Sequence, residues 1–148
     1  MSPDMTPKLT DRPALTRNRA RAQDAALFLH QAARDEIEDR LTLVNRSFTD
    51  PLIVSPFPQI WEGFGAPVIA DDSVLDVSEA RHDLVVHALA LHWADDPLGQ
   101  LIQCTRALRP DGLLMAVTLG GQILHELRAC LAEAQAAETG ELSPPVAP

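Results

Sequence analysis

Two pairs of polar residues stand directly after apolar runs. His92 and Trp93 follow the run 83–91, and Asp71 and Asp72 end a shorter one. A histidine can act as a general base near neutral pH, and a tryptophan can form one wall of a ligand pocket. Because ligands of parallel sheets collect beyond the carboxyl ends of strands, His92 and Trp93 indicate a pocket beyond the run 83–91. Packing for His92 and Trp93, and capping of a strand or turn for the aspartates, are the structural alternatives.

Other site chemistries find little support in the sequence. The spacing of His92, Asp95 and Asp96 is not diagnostic of a metal site, and we predict none. Nucleophile-elbow, phosphate-loop and paired-cysteine motifs are absent from the sequence. Cys104 and Cys130 fall in two separate predicted helices, which indicates reduced thiols.

The bulk composition narrows the partners and the compartment. A chain of 148 residues has room for one domain, and its net charge of −9 disfavours duplex nucleic acid as a partner. It contains neither an 18-residue apolar run nor a recognisable signal peptide, so we expect no membrane span and a cytoplasmic location. A protein partner or a homodimer remains open.

The first half of the chain predicts a flexible beginning and a helical segment. Residues 1–13 hold three prolines and are predicted to be a lead-in, and residues 14–48 predict one or two helices. Apolar residues that include Leu27, Phe28 and Ile37 mark the predicted buried stripe of this segment. The single domain is then expected to span residues 14–140, followed by a loose tail over 141–148.

The remaining elements alternate between strands and helices. Apolar runs predict buried strands, and caps and breakers bound the helices. The predicted strands are 52–54, 67–70, 83–91 and 113–119. The predicted helices begin at Asp96-Pro97, with Leu98, Leu101 and Ile102 at helical spacing, and at Gly120-Gly121. This order predicts an α/β fold with a mostly parallel, Rossmann-like sheet and flanking helices.

Two segments carry a resemblance to a known family. They are His82-Asp-Leu-Val-Val-His-Ala-Leu-Ala-Leu-His-Trp-Ala-Asp-Asp-Pro97 and Arg106-Ala-Leu-Arg-Pro-Asp-Gly-Leu113. They resemble the fourth strand, the next helix and the fifth strand of class I S-adenosylmethionine (SAM)-dependent methyltransferases. The Leu-His-Trp tripeptide is similar to the subgroup that contains the malonyl-carrier-protein methyltransferase of biotin synthesis and a mitochondrial complex I assembly factor that hydroxylates an arginine. Residues 120–128 and 142–148 resemble the assembly-factor branch more closely.

The resemblance implies SAM as the cofactor and assigns roles to individual residues. It implies that Asp71, with Asp72 beside it, contacts the adenine amino group. It places His92 and Trp93 on the side of an unidentified small-molecule or protein acceptor. The other residues it implies near SAM lie at the ends of two strands, and they are Ser55, His87, Ala88 and Leu89. A buried core histidine is the alternative for His87.

The chain also departs from the family. The segment that matches the first strand and its glycine-rich turn is Leu52-Ile-Val-Ser-Pro-Phe-Pro58, which contains no glycine. Pro56 and Pro58 supply no amide donors and cannot take the positive φ of such a turn. The region is shorter than in the family, with a strand–helix unit reduced, and the sequence ends before the family's last strands. We therefore expect either a SAM-dependent methyltransferase or a non-methylating assembly scaffold, the latter for a complex such as respiratory complex I.

Overall fold

The computed structural model describes residues 7–122 and 125–140. It comprises two compact units, Met1–Thr118 and Leu119–Pro148. The predicted tail, 141–148, and the first part of the predicted lead-in lie outside the described residues. The end of the predicted lead-in is helical, since the first helix begins at Arg12.

The described residues of the first unit form three α-helices and four strands. The helices are α1 (Arg12–Ala20), α2 (Phe28–Leu43) and α3 (Pro97–Ala107). The strands are β1 (Pro51–Val54), β2 (Val68–Ile69), β3 (His82–Ala88) and β4 (Leu108–Val117). The second unit contains the helix α4 (His125–Thr139). No helix among the described residues is long and apolar enough to cross a membrane.

The four strands form one parallel sheet in the order β2-β1-β3-β4. Ile53 of β1 pairs with Val68 on one side and with Val86 of β3 on the other, and Val86 pairs in turn with Met115. Helices accompany the strands along the chain. The predicted α/β, Rossmann-like fold with a parallel sheet is confirmed.

The apolar core lies on both faces of this sheet because side chains alternate along each strand. One face, with α2, buries Leu27, Ile37, Ile53, Trp61, Leu84 and Val86. The opposite face, with α3, buries Leu52, Val54, Val85, Cys104 and Ala107. All seven residues of β3 are buried, as expected of a strand covered on both sides.

The predicted burial of one residue in the stripe, Phe28, is wrong. Phe28 is 71% exposed, whereas Leu27 and Ile37 are buried. Phe28 stands nine residues before Ile37, and nine steps of about 100° place it on the opposite side of α2. Leu27 reaches the core because it ends the 3-10 turn Asp24–Leu27 that precedes the helix.

The predicted start of α3 is confirmed by its cap. The Asp96 carboxylate accepts a hydrogen bond from the Gly99 amide at 2.8 Å, and Pro97 occupies the first helical position. The strand that follows α3 starts earlier than predicted, because β4 begins at Leu108 and not at Leu113. An irregular register follows His82, and Asp111 takes a φ of 66° within this stretch.

The connection between β1 and β2 contains no α-helix. Residues 55–67 form only the 3-10 turn Pro58–Trp61, whose Ile60 and Trp61 are buried. The two strands nevertheless pair directly, with Val54 opposite Ile69. A short loop therefore brings the carboxyl ends of β1 and β2 side by side.

Replacing Ile53 by alanine should lower the free energy of unfolding by about 2–5 kcal/mol, because the side chain is fully buried between two neighbouring strands. Chemical denaturation followed by circular dichroism measures the change. Leu43→Ala, at a position 84% exposed, is the control and should change stability by less than about 0.5 kcal/mol. Equal losses in the two variants would contradict the assignment of β1 to the core.

Candidate functional site

A cavity of about 610 Å³ lies beyond the carboxyl ends of β1 and β2. Helix α1 forms its other wall. The residues that define its character are Arg12 and Arg19 of α1, Pro56 and Phe57 after β1, and Asp71 and Asp72 after β2. The short β1–β2 connection and the parallel direction of both strands place these groups around one space.

The loop after β1 is a turn closed by a serine. Ser55 is buried, its amide donates to the Ile69 carbonyl at 3.0 Å, and its hydroxyl accepts from the Phe57 amide at 3.3 Å. No residue from 55 to 58 has a positive φ. The Phe57 ring packs edge-on against His30 with centroids 4.7 Å apart. An aromatic wall therefore stands where a glycine-rich turn would leave the backbone bare.

The Asp71 carboxylate is buried, with 3% of the residue exposed, and is paired with two arginines. Its two oxygens accept from Nη1 and Nη2 of Arg19 at 2.8 and 2.9 Å. Arg12 approaches one of these oxygens at 3.5 Å and donates to the Asp71 carbonyl at 3.0 Å. Such a bidentate, charge-assisted pair is strong and fixes the geometry of both groups. Sequence reasoning missed both arginines as site residues.

Gln100 joins the segment after β2 to β3. Its amide nitrogen donates to the carbonyls of Asp71 at 3.2 Å and of Asp72 at 2.9 Å. Its amide oxygen lies 2.9 Å from Nε2 of His87. Because that oxygen can only accept, the network assigns the proton to Nε2 of His87. The buried Nδ1 atom of His87 then has no hydrogen-bond partner among the described residues.

The sequence carries a signal for Gln100 in the spacing of the buried residues of α3. Gln100 shares the buried face of α3 with Cys104 and Ala107, at intervals of four and seven residues. The apolar spacing drew attention to Leu98 and Ile102 instead, and both are exposed. A polar residue on the buried face of a helix must find hydrogen-bond partners.

His92 and Trp93 lie in the 3-10 turn Leu91–Trp93, just after β3. Both are exposed, and their rings are 5.3 Å apart. Burial and the Arg19 guanidinium lower the pKa of His92 below its ordinary value, while Asp71 opposes the shift. Burial, Arg19 and His92 likewise lower the pKa of His30. The two histidines therefore share the positive field of Arg19, which favours their neutral forms.

The structure brings only some of the predicted site residues to the cavity, and Ser55, His92 and Trp93 are not among its lining residues. Asp71 and Asp72 line the cavity, and His87 is joined to their backbone through Gln100. Ala88 and Leu89 are buried and do not line the cavity, although Leu89 takes a φ of 47° at the end of β3. The described residues include no cluster of histidine, cysteine and carboxylate side chains suited to a metal ion.

Comparison with known proteins finds one matching family model and two groups of similar proteins. The family model described as a methyltransferase domain matches residues 62–116. The human protein named arginine-hydroxylase NDUFAF5, mitochondrial, is 40% identical over 81 residues, which are 55% of this chain and 24% of the relative. The zebrafish (Danio rerio) protein of the same name is 37% identical over 81 residues, 55% of this chain and 25% of the relative.

A second group of relatives carries a different name. The malonyl-[acyl-carrier protein] O-methyltransferase of Hahella chejuensis is 42% identical over 59 residues, 40% of this chain and 21% of that protein. No solved structure gives a significant match. The matched part of the chain spans about a quarter of the length of these curated relatives.

Replacing Gln100 by methionine should lower the free energy of unfolding by about 2 kcal/mol or more. Two carbonyls and the His87 Nε2–H group would lose their partner in a buried place. Thermal and chemical denaturation measure the effect. Gln103→Met, on the same helix but less buried, removes hydrogen bonds to Ser73 and Leu75 and should cost less. A larger loss in the control would contradict the role of Gln100.

The free energy of unfolding should decrease as the pH is lowered, because the folded state resists protonation of His87. Burial lowers the pKa of His87, although Gln100 and Asp71 oppose the shift. The unfolded chain therefore takes up a proton near pH 6.5 while the folded chain resists it, so stability is lost as the pH falls below about 6.5. His87→Gln should flatten the decline of unfolding free energy between about pH 7.5 and pH 5. Parallel curves for variant and wild type would refute the assignment.

Proposed function

Because the chain belongs to the superfamily of class I SAM-dependent methyltransferases, we propose that its cavity beyond β1 and β2 binds SAM for methyl transfer. The observation that carries the proposal is the position of this cavity. It opens at the carboxyl ends of two adjacent parallel strands, where α/β sheets bind their ligands. Methyl transfer by the whole protein, to a small-molecule or protein acceptor, belongs to the same proposal.

The cavity suits a nucleoside in size and in lining. Its volume of about 610 Å³ falls within the range of about 300–1,000 Å³ that is typical of small-molecule sites. Pro56 and Phe57 offer an apolar surface for a purine ring, and Asp72 is an exposed acid in the same lining. The Asp71 carboxylate can contact the purine only when Arg19 no longer pairs with it.

The proposed roles of the protein's residues concern position and proton transfer. SAM supplies a methyl group that is already activated, so the protein mainly has to align the acceptor with it. Asp71 and Asp72 would hold the adenine, with Ser55 and residues 87–89 shaping the strand ends behind it. His92, neutral near pH 7 because its pKa is lowered, would accept a proton from the acceptor, and Trp93 would contact the acceptor's apolar part.

The second candidate function is a non-methylating scaffold that acts as an assembly factor. The turn over residues 55–58, which lacks positive φ values, and the Arg19–Asp71 pair favour it. In that case the same surface would bind a protein partner and no nucleoside. We retain the cytoplasm as the proposed compartment, whereas the arginine-hydroxylase relatives are named mitochondrial.

Binding of S-adenosylhomocysteine tests the proposal directly. At about 100 times its dissociation constant, the ligand should stabilise the protein by about 2.7 kcal/mol, which is measured as a rise in melting temperature. Asp72→Asn should weaken binding and reduce the rise, because the exposed carboxylate lines the cavity. Asp76→Asn, an equally conservative change at an exposed acid that does not line the cavity, is the matched control.

Two results would count against SAM binding at this site. The absence of any melting shift at millimolar ligand would favour the scaffold. A normal shift that Asp72→Asn and Asp76→Asn leave equally unchanged would place the ligand elsewhere.

A further inference from the structure

We infer that residues Leu9–Ala20 form a latch that closes the cavity, and that Arg19 of this latch and a nucleoside compete for Asp71. This inference rests on the proposed function, since it describes how access to the same site is controlled. It follows from where the latch is attached, from what holds it, and from which groups it occupies.

The latch is fixed to the sheet edge at two points. At its start, the amides of Leu9 and Thr10 both donate to one carboxylate oxygen of Asp95, at 2.8 and 2.9 Å. At its end, Arg19 makes its bidentate pair with Asp71. Asp95 follows β3 and Asp71 follows β2, so the segment crosses the carboxyl ends of the strands between them.

Polar contacts hold the latch, and apolar burial contributes little. Leu15 is the only buried residue of α1, and its other large side chains are polar or charged. The side chains of Arg12 and Arg19 keep 26% and 18% of their surface exposed although both contact Asp71. A helix with so little buried apolar surface belongs to the segments of a protein that open at low cost.

The closed latch occupies the group that a nucleoside would need. The Asp71 side chain is only 4% exposed and both of its oxygens accept from Arg19, so an exocyclic amine or a ribose hydroxyl reaches this buried carboxylate only after the guanidinium has left. The closed form therefore has a reduced affinity for the ligand. The apparent dissociation constant equals the intrinsic one divided by the fraction of molecules that are open.

Hydrogen exchange measures the opening of the latch without any ligand. In Arg19→Ala, the amides of Thr16–Ala20 should exchange about tenfold faster or more, because a hydrogen bond between charged groups is lost. The amides of β3 serve as an internal reference and should keep their protection. Arg17→Ala removes an exposed arginine from the same helix and should leave the exchange of α1 nearly unchanged. Equal effects of the two variants would overturn the latch.

Asp95→Ala releases the other end of the latch. It removes the acceptor of the Leu9 and Thr10 amides and leaves the Arg19–Asp71 pair intact. It should speed exchange at the start of α1, and it decides the question if Arg19→Ala fails to fold. Unchanged exchange in Asp95→Ala would overturn the latch as a segment anchored at two points.

Titration with S-adenosylhomocysteine by calorimetry tests the competition. Arg19→Ala should bind this ligand about tenfold more tightly than wild type or Arg17→Ala. Faster exchange of α1 with unchanged or weaker ligand affinity would overturn the competition. If no variant binds the ligand, the proposed function is wrong, and the competition falls with it, while the exchange data still decide whether the latch opens.

Discussion

The burial of the Asp71 carboxylate constrains the rest of the site. A buried carboxylate is unfavourable unless it is paired and hydrogen-bonded, and removing one partner of a buried ion pair costs about 3–5 kcal/mol. Asp71 stands at the end of the short strand β2, and its partners come from α1, 52 positions earlier in the case of Arg19. Helix α1 therefore lies where it does because this charge requires it, since Leu15 alone is buried.

The backbone around Asp71 is fixed separately from its side chain. Gln100 binds the carbonyls of Asp71 and Asp72 from α3, and α3 itself is held in place by its Asp96 cap and by the buried Cys104. Opening of α1 would thus release the carboxylate while its main chain stays in position. A preorganised acid with a removable partner suits reversible ligand binding better than a loop that must refold each time.

Local patterns predicted the sheet well because the signals needed were local. The continuous apolar run of β3 and the Asp96-Pro97 cap act within a few residues, and the structure has both. The boundary of β4 was missed because its first residues are irregular around Asp111, which no apolar period encodes. Phe28 was misplaced because the 3-10 turn before α2 shifts the start of the helical period.

The candidate site was predictable only where it follows strand ends. Asp71 and Asp72 could be placed at the edge of a sheet from the apolar residues before them, and they line the cavity. The partners of Asp71 could not be found in this way, because an ion pair between α1 and β2 leaves no spacing signal in the sequence. Gln100 was detectable in principle, as a polar residue on the buried face of a helix.

The charge of the cavity depends on whether α1 is in place. With the latch closed, the charged residues that line the cavity are two arginines and two aspartates, so the cavity carries no net charge. SAM is a sulfonium, and a cation gains little from a neutral wall that presents guanidinium groups. Withdrawal of α1 removes both arginines and leaves Asp71 and Asp72, which attract a cation. Opening would therefore free the acid for the adenine and also change the field in favour of the charged cofactor.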